Sequence, residues 1–405
     1  MLLTLNTTLM KKSLQSLALG TYALGIAEFA LMGILSTLAS DFNISVASAG
    51  HLISAYALGV TCGAPALLWF RRIRLRTIML ILAAMIFAGN AFTAIAPEFY
   101  SMLAARFLSG LPHGAYFGVG AIVAQRLAEP GHKAQAVSIM VAGMTVATLI
   151  GVPGATFLTE HLSWRITFAI VASAAALAWI SIKIFVPDVG KIADHGFKGQ
   201  FAFLKELAPW LIFGGTICGQ TGIYCWYSYV DPLLTNLSGF TTDSLPWIMI
   251  IAGFGMFVGN LLGGKMADKF SASLVSGVIA TAMIPIMVLI YVFASYGWAE
   301  AALTFLGTAG LFGIGGPMQY LIVRYAKGGE MLGAAGIQIS FNLGNAIAAL
   351  PSILVLAMHH PHWPECLCLS PAPYCCFICT VGMSALTCRT KSSAYHASVP
   401  PLTQV

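Results

Sequence analysis

The sequence predicts an all-α protein threaded repeatedly through a membrane, and three observations predict it. Hydrophobic residues make up 58% of the 405-residue chain and charged residues only 8%, against about a quarter charged in ordinary globular domains. Apolar runs recur at the length a helix needs to cross about 30 Å of hydrocarbon, roughly twenty residues. The charges fall in the short breaks between these runs, and the breaks alternate between Lys/Arg-rich and Lys/Arg-poor along the chain.

Eleven spans follow in order. The first (13–38) starts after Lys11 and Lys12 and carries Glu28 within it. It is too long and too polar for a secretory leader, and Met10 before the two lysines reads as the better start of the chain. The second (47–70) closes on Arg71, Arg72, Arg74 and Arg76; the third (77–97) ends at Glu98; the fourth (99–125) closes on Arg126 and Lys133. The fifth (134–159) ends at Glu160, and the sixth (163–186) opens with Arg165, the one cation on its side, and closes on Lys183 and Lys191. After a polar break the seventh (209–231) ends at Asp231; the eighth (244–267) follows Asp243 and closes on Lys265 and Lys269. The ninth is 272–296; the tenth (299–323) begins at Glu300 and closes on Arg324 and Lys327; the eleventh is 331–358, with Glu365 beyond it. Lys and Arg stay on the cytoplasmic side during insertion, so the N-terminus is expected in the cytoplasm. The net charge of +6 then reflects topology rather than a nucleic-acid surface.

The longest polar break divides the chain near its middle. The expected organisation is a six-helix half (1–187), a linker (188–208), a second half holding helices seven to eleven (209–358) and a Cys/His/Pro-rich tail (359–405). Small residues recur in step in the two halves. Gly59 and Gly63 match Gly255 and Gly259, and Gly143 and Gly151 match Gly336 and Gly344 at the same spacing. Such repeats are typical of transporters with their substrate path between two halves, although closely spaced glycines also serve any tight helix packing.

Enzyme motifs are missing: there is no H-E-x-x-H, G-x-S-x-G or Walker A loop. Neither catalysis, a cofactor nor ATP-driven transport is expected. The tail groups six of the nine cysteines (Cys366, Cys368, Cys375, Cys376, Cys379 and Cys388) with His359, His360 and His362. Cys366-Leu367-Cys368 and the adjacent Cys375-Cys376 match no C-x₂-C pair arrangement and the histidines are interleaved with prolines, so no metal site is assigned. The tail reads as out-of-frame sequence from about residue 350, in place of a twelfth helix; a metal or redox tail and a divergent twelfth helix are the competing readings.

Charged and amide side chains inside apolar spans carry the function. A mid-bilayer carboxylate is costly unless protonated or paired, which marks Glu28 as a proton carrier or as a packing residue bonded inside the bundle. Arg106 cannot shed its charge and must meet an anion, carbonyls or water. His113 lies on about the same helix face seven residues on, with Tyr116 one turn further, so it is either a proton relay or a satisfied structural histidine. Gln220 and Tyr224 in the seventh span, Gln319 with Tyr320 in the tenth, and Gln338, Asn342 and Asn345 in the eleventh are the candidate substrate contacts, together with Tyr116. Trp226, Tyr227 and Tyr229 are expected nearer the membrane interface, where aromatic residues collect.

Several motifs then bear a resemblance. Gly264-Lys265-Met266-Ala267-Asp268-Lys269 resembles the loop signature of the major facilitator superfamily; the first-half loop after Gly63 has the arginines but no Asp. Arg106-Phe107-Leu108-Ser109-Gly110 resembles that family's buried-arginine motif, and the run from Gly143 through Gly151 to Pro153-Gly154 its fifth-helix antiporter motif. Ser163-Trp164-Arg165 and Gly25-Ile26-Ala27-Glu28-Phe29 resemble segments of its drug:proton antiporter and sugar-efflux members, over about residues 10–349. The resemblance implies a major facilitator fold of two six-helix halves and proton-coupled efflux of a sugar, sugar derivative or small amphiphile from a bacterial inner membrane by a monomer. It implies Glu28, Arg106 and His113 in coupling, Gly264, Asp268 and Lys269 in an inner gate, and a small molecule, protons and lipid as the partners.

Overall fold

The computed structural model describes residues 2–193, 196–227, 230–241 and 244–357. Tyr229, Asp243 and the tail 359–405 lie outside the described residues. The described chain is helical and without strands. Nine helices are long and apolar enough to cross a membrane: Leu9–Leu31, His51–Phe70, Leu75–Ile95, Phe99–Leu127, Lys133–Thr159, Trp164–Phe185, Leu245–Lys269, Ala272–Phe293 and Gly297–Tyr325. They are spans 1–6 and 8–10 of the sequence reading. Spans 7 and 11 form helices of matching length, Leu207–Tyr227 and Glu330–Ala357. Both are less uniformly apolar because Thr216, Gln220, Thr221, Gln338, Asn342 and Asn345 interrupt them. Of these, Gln220, Gln338, Asn342 and Asn345 line the interior cavity described below.

Prolines shape three spans. Span 5 runs as α-helix over Lys133–Val146, widens into a π-turn at Ala147–Gly151 and resumes at Val152–His161. Pro153 has no N–H to give and its ring would strike the carbonyl four residues back, so the helix opens by one residue there. Span 10 divides at Ile314, three residues before Pro317, into Gly297–Gly313 and Gly315–Tyr325. Span 2 tightens after Pro65 into a 3₁₀ turn, Leu67–Phe70.

The packing is nearly the same in the two halves. Span 2 lies on span 4 as span 8 lies on span 10, span 1 on span 5 as span 7 on span 11, and span 3 on span 4 as span 9 on span 10. The matched glycines sit at the corresponding crossings. A Cβ at Gly59 would lie 2.2 Å from the Phe107 carbonyl oxygen and one at Gly63 1.8 Å from that of Leu111; at Gly255 and Gly259 it would lie 2.4 Å from Phe305 O and 2.0 Å from Ala309 O. Small residues let backbones approach this closely. Gly143 likewise presses on Ala18 O, and Gly344 on Ile217 O. Between the halves, span 5 packs on span 8, span 11 on spans 2 and 4, and span 5 on the second segment of span 10.

The ends of the spans separate by charge. On the basic face Arg74 pairs with Asp188, Arg126 Nη1 donates to the carbonyls of Val189 (2.8 Å) and Lys191 (3.0 Å), and Leu75 N donates to Gly190 O at 3.1 Å. The arginine-rich loop without an Asp therefore finds its carboxylate in the polar break. On the other face the lone cation Arg165 donates through Nη1 to the carbonyls of Ala94 (3.2 Å) and Ala96 (2.7 Å), capping the end of span 3. Trp164 Nε1 donates to Asp41 at 2.7 Å.

Candidate functional site

Spans 1, 4 and 5 of the first half meet spans 7, 10 and 11 of the second around a cavity of about 80 Å³, lined by Glu28, Phe29, His113, Phe117, Gln220, Tyr224, Gln319, Gln338, Asn342 and Asn345 among others. That is small beside the roughly 300–1,000 Å³ of drug-sized ligand sites.

One wall carries the ionisable groups, joined as a chain. Glu28 Oε2 lies 3.8 Å from His113 Nε2 and has no hydrogen-bond partner. His113 Nδ1 is 2.8 Å from the Tyr56 hydroxyl, and its ring stacks on Phe117 with centroids 5.1 Å apart. The Tyr56 ring in turn lies under the Arg106 guanidinium, 4.4 Å from its carbon, and Phe168 flanks the same group at 5.6 Å. Arg106 is wholly buried, and its Nε and Nη1 have no hydrogen-bond partner. With no carboxylate bonded to it, the guanidinium is held by aromatic faces, an interaction of about 2 kcal/mol when desolvated. In the tautomer where Tyr56 donates to Nδ1, the imidazole presents Nε2–H toward Glu28 across a gap that one water can bridge.

The facing wall is a row of amides. Gln319 Nε2 donates to Ala334 O (2.9 Å), Gln338 Nε2 donates to Gln319 Oε1 (3.1 Å), and Asn342 Nδ2 donates to Gln338 O (2.9 Å). Asn345 Oδ1 is buried without a partner. Gln220 lies against Gly344, where a Cβ would come within 2.6 Å of its own, and Tyr224 faces Tyr227 edge-on at 5.8 Å. Gln220, Tyr224, Gln319, Gln338 and Asn342, the residues singled out in the sequence as candidate substrate contacts, thus line one cavity.

Tyr116 is elsewhere. It is fully buried between spans 1 and 4, its hydroxyl donates to Leu17 O at 3.2 Å, and Gly20 leaves room for its ring. One turn from His113 was enough to rotate it out of the cavity. Trp226, expected at the membrane interface, is 1% exposed and packs against Gly307. Tyr56 is the site residue the sequence did not single out, because a tyrosine in an apolar span gives no signal until its neighbours are known.

On the basic face span 8 clasps span 5. Asp268 accepts from two backbone N–H groups at the start of span 5, Ala134 N (2.9 Å to Oδ1) and Gln135 N (2.7 Å to Oδ2). This uses the exposed N–H groups and positive dipole end of a helix N-terminus. Gly264 makes the contact possible: a Cβ there would sit 2.3 Å from Ser138 Oγ. Asn260 Nδ2 adds a bond to Ser138 O at 2.7 Å. Lys269 instead covers the Phe270 ring at 5.3 Å. In the fifth-helix motif Gly143 and Gly151 touch span 1, whereas Gly154 has nothing within 4 Å of its Cβ position.

Comparison with known proteins agrees with this architecture. The sequence profile of the Major Facilitator Superfamily matches residues 17–349. The chain is 43% identical over 352 residues to AraJ of Escherichia coli (strain K12), covering 86% of this chain and 89% of that one. It is 33% identical over 338 residues to the inner membrane transport protein YdhP of the same organism, covering 83% and 86%. Two solved structures share the fold at low identity. One is the proton:xylose symporter XylE, with a TM-score of 0.72, 14% identity and 94% and 96% of the two chains covered. The other is FucP in its outward conformation, with 0.73, 13%, and 92% and 97%. Helical spans, repeated halves, a cavity between them and a profile match over most of the length lead to one conclusion: this chain is a membrane-spanning transporter belonging to the major facilitator superfamily.

Proposed function

We propose that the chain exports a small uncharged or cationic molecule from the bacterial cytoplasm in exchange for protons, by rocking its two halves about the central cavity. The observation that carries this reading is Glu28: its Oε2 is buried, lacks a partner, lines the cavity and stands 3.8 Å from His113. A carboxylate placed so can hold either a proton or a donor group of the substrate, and binding one releases the other. Asn345 Oδ1 is the second cavity acceptor without a partner among the described residues. A ligand rich in hydroxyl or amino donors satisfies both, so sugars, sugar derivatives and small amphiphilic amines fit, while anions do not.

Arg106 acts in this scheme through Tyr56 and His113, setting the electrostatics around Glu28 without touching substrate. The basic ends of the spans face the cytoplasm by the distribution of Lys and Arg, which puts the N-terminus and the Asp268 clasp on that side and the cavity's route outward. The relative YdhP is named an inner membrane transport protein, in keeping with that location. The chain functions as a monomer.

The test uses full-length protein in proteoliposomes with an imposed pH gradient, radiolabelled pentoses and hexoses and a lipophilic cationic dye as probes. Glu28→Gln is expected to abolish gradient-driven movement while substrate exchange without a gradient persists. Undiminished gradient-driven export by the variant overturns the assignment; loss of both activities in a folded variant places Glu28 in substrate binding alone.

A further inference from the structure

Span 10 carries a second buried carboxylate that the proposed cycle does not use. Glu300 is 0% exposed, and neither of its carboxylate oxygens has a hydrogen-bond partner. The Thr304 hydroxyl, one turn further, and the Trp226 indole N–H are also buried and unpartnered. Glu300, Thr304, Gly307, Thr308 and Leu311 form one buried stripe of span 10. Trp226 lies on it, with its Cη2 2.7 Å from the Cβ position of Gly307, and Leu311 lines the central cavity. Eleven residues of helix put Glu300 about 16 Å along the axis from that lining residue. The sequence reading put Glu300 at the start of the tenth span; the fold buries it.

A polar residue kept for structure is recognised by the bonds it makes, and Glu300 makes none with its side chain. Two other carboxylates at this end do: Asp41 accepts from Trp164, and Glu98 caps span 4. Two opposed effects act on Glu300. Desolvation without a partner penalises its charge heavily, while its place in the first turn of a helix beginning at Gly297 favours negative charge. Charged neighbours do not decide between them. The elements packed on this segment are spans 7, 8 and 9, the helix Val230–Asn236 and the second segment of span 10. At this end they offer Tyr227, Tyr291 and Tyr296 and the acid Asp231, whereas Lys265, Asp268, Lys269 and Arg324 sit at the opposite ends of their helices.

We propose that Glu300 is a second proton-binding site, loaded from the acidic face and separate from the Glu28 cavity, with Thr304 and Trp226 as the polar groups that receive its carboxyl. The step is simple protonation: hydronium from outside gives its proton to one carboxylate oxygen, and the neutral acid returns it to water when the segment opens. Only the use of that proton in transport rests on the exporter reading; the site itself does not.

The test is infrared difference spectroscopy of the full-length protein in lipid nanodiscs, titrated with alkali, following the protonated-carboxyl C=O band. Wild type is expected to lose two components, Glu28→Gln one and Glu300→Gln the other. A Glu300→Gln spectrum identical to wild type overturns the proposal. Should that variant fail to fold, Thr304→Val keeps the carboxyl in place and is expected to shift its band, and an unshifted band overturns the proposal equally. Displacement of the Glu300 component by sodium at constant pH refutes a proton site in favour of a metal-cation site. Absence of the Glu28 component alone counts against the exporter reading and leaves the second site standing.

Discussion

Replacing Asp268 by Asn tests the clasp between spans 8 and 5. The carboxylate accepts from Ala134 N and Gln135 N at 2.9 and 2.7 Å. An amide of the same shape offers one acceptor oxygen, so its NH₂ faces the second N–H and leaves that donor unsatisfied. Losing one hydrogen bond to a charged acceptor costs about 1.5–3 kcal/mol, and the lost charge at the helix N-terminus adds about 0.3–1 kcal/mol. Water reaching this half-buried position recovers part of the sum, leaving a net of about 2 kcal/mol against the clasped state, or about a 30-fold shift in the equilibrium. The assay is a pulsed-EPR distance between spin labels at His132 and Lys265, introduced as non-native amino acids so that the nine cysteines stay in place. Asp268→Asn is expected to add a population with the two positions further apart. A distance distribution unchanged from wild type refutes the clasp as a determinant of the closed face.

Three further outcomes follow from other contacts. Gly143→Ala places a methyl 1.8 Å from the Ala18 carbonyl oxygen, a backbone atom that cannot swing away, whereas Gly154→Ala meets nothing within 4 Å; thermal unfolding in detergent is expected to fall by about 3 kcal/mol or more for the first and to stay level or rise for the second. Tyr56→Phe removes the bond to His113 and keeps the ring under Arg106, so it is expected to cost about 1 kcal/mol and to alter the pH profile of transport, while Tyr56→Leu strips the guanidinium of that face and costs more. The Gly190 N–H, with Arg74 and Arg76 adding to it, holds the exposed Asp188 carboxyl below its usual 3.8. A lowered carboxylate stabilises the fold above its unfolded value and loses that contribution as pH falls through the folded one. The difference in melting temperature between wild type and Asp188→Asn is therefore expected at pH 7 and to vanish well below pH 3.8, and a difference that persists in acid contradicts the pairing.

The spans were legible because hydrocarbon thickness leaves one solution to each apolar run, and Glu28, Arg106 and His113 stood out because an ionisable side chain inside such a run is costly. Glycine spacing disclosed the paired crossings, since Gly59 and Gly255 perform the same task in the two halves. What escaped were facts of orientation. Glu300 reads as an end residue of span 10 on the Lys/Arg-poor side, yet the first turn of that helix carries it inward. Tyr116 shares a helix with His113 but turns toward span 1, and Tyr56 becomes part of the site only because span 2 crosses span 4 there. The opposite partner of Arg74 was equally invisible, since 114 residues separate it from Asp188.

The carbonyl oxygens pressed onto Gly59, Gly63, Gly255 and Gly259 also restrict how such a chain can change over time. A backbone atom cannot be swapped for a smaller one, so no substitution on the partner helix can make room for a side chain at these four points. Lipid-facing residues, cavity walls and loops can all drift independently in the two halves. The crossings cannot, and they are where a duplicated six-helix unit is expected to remain recognisable after the rest of its sequence has diverged.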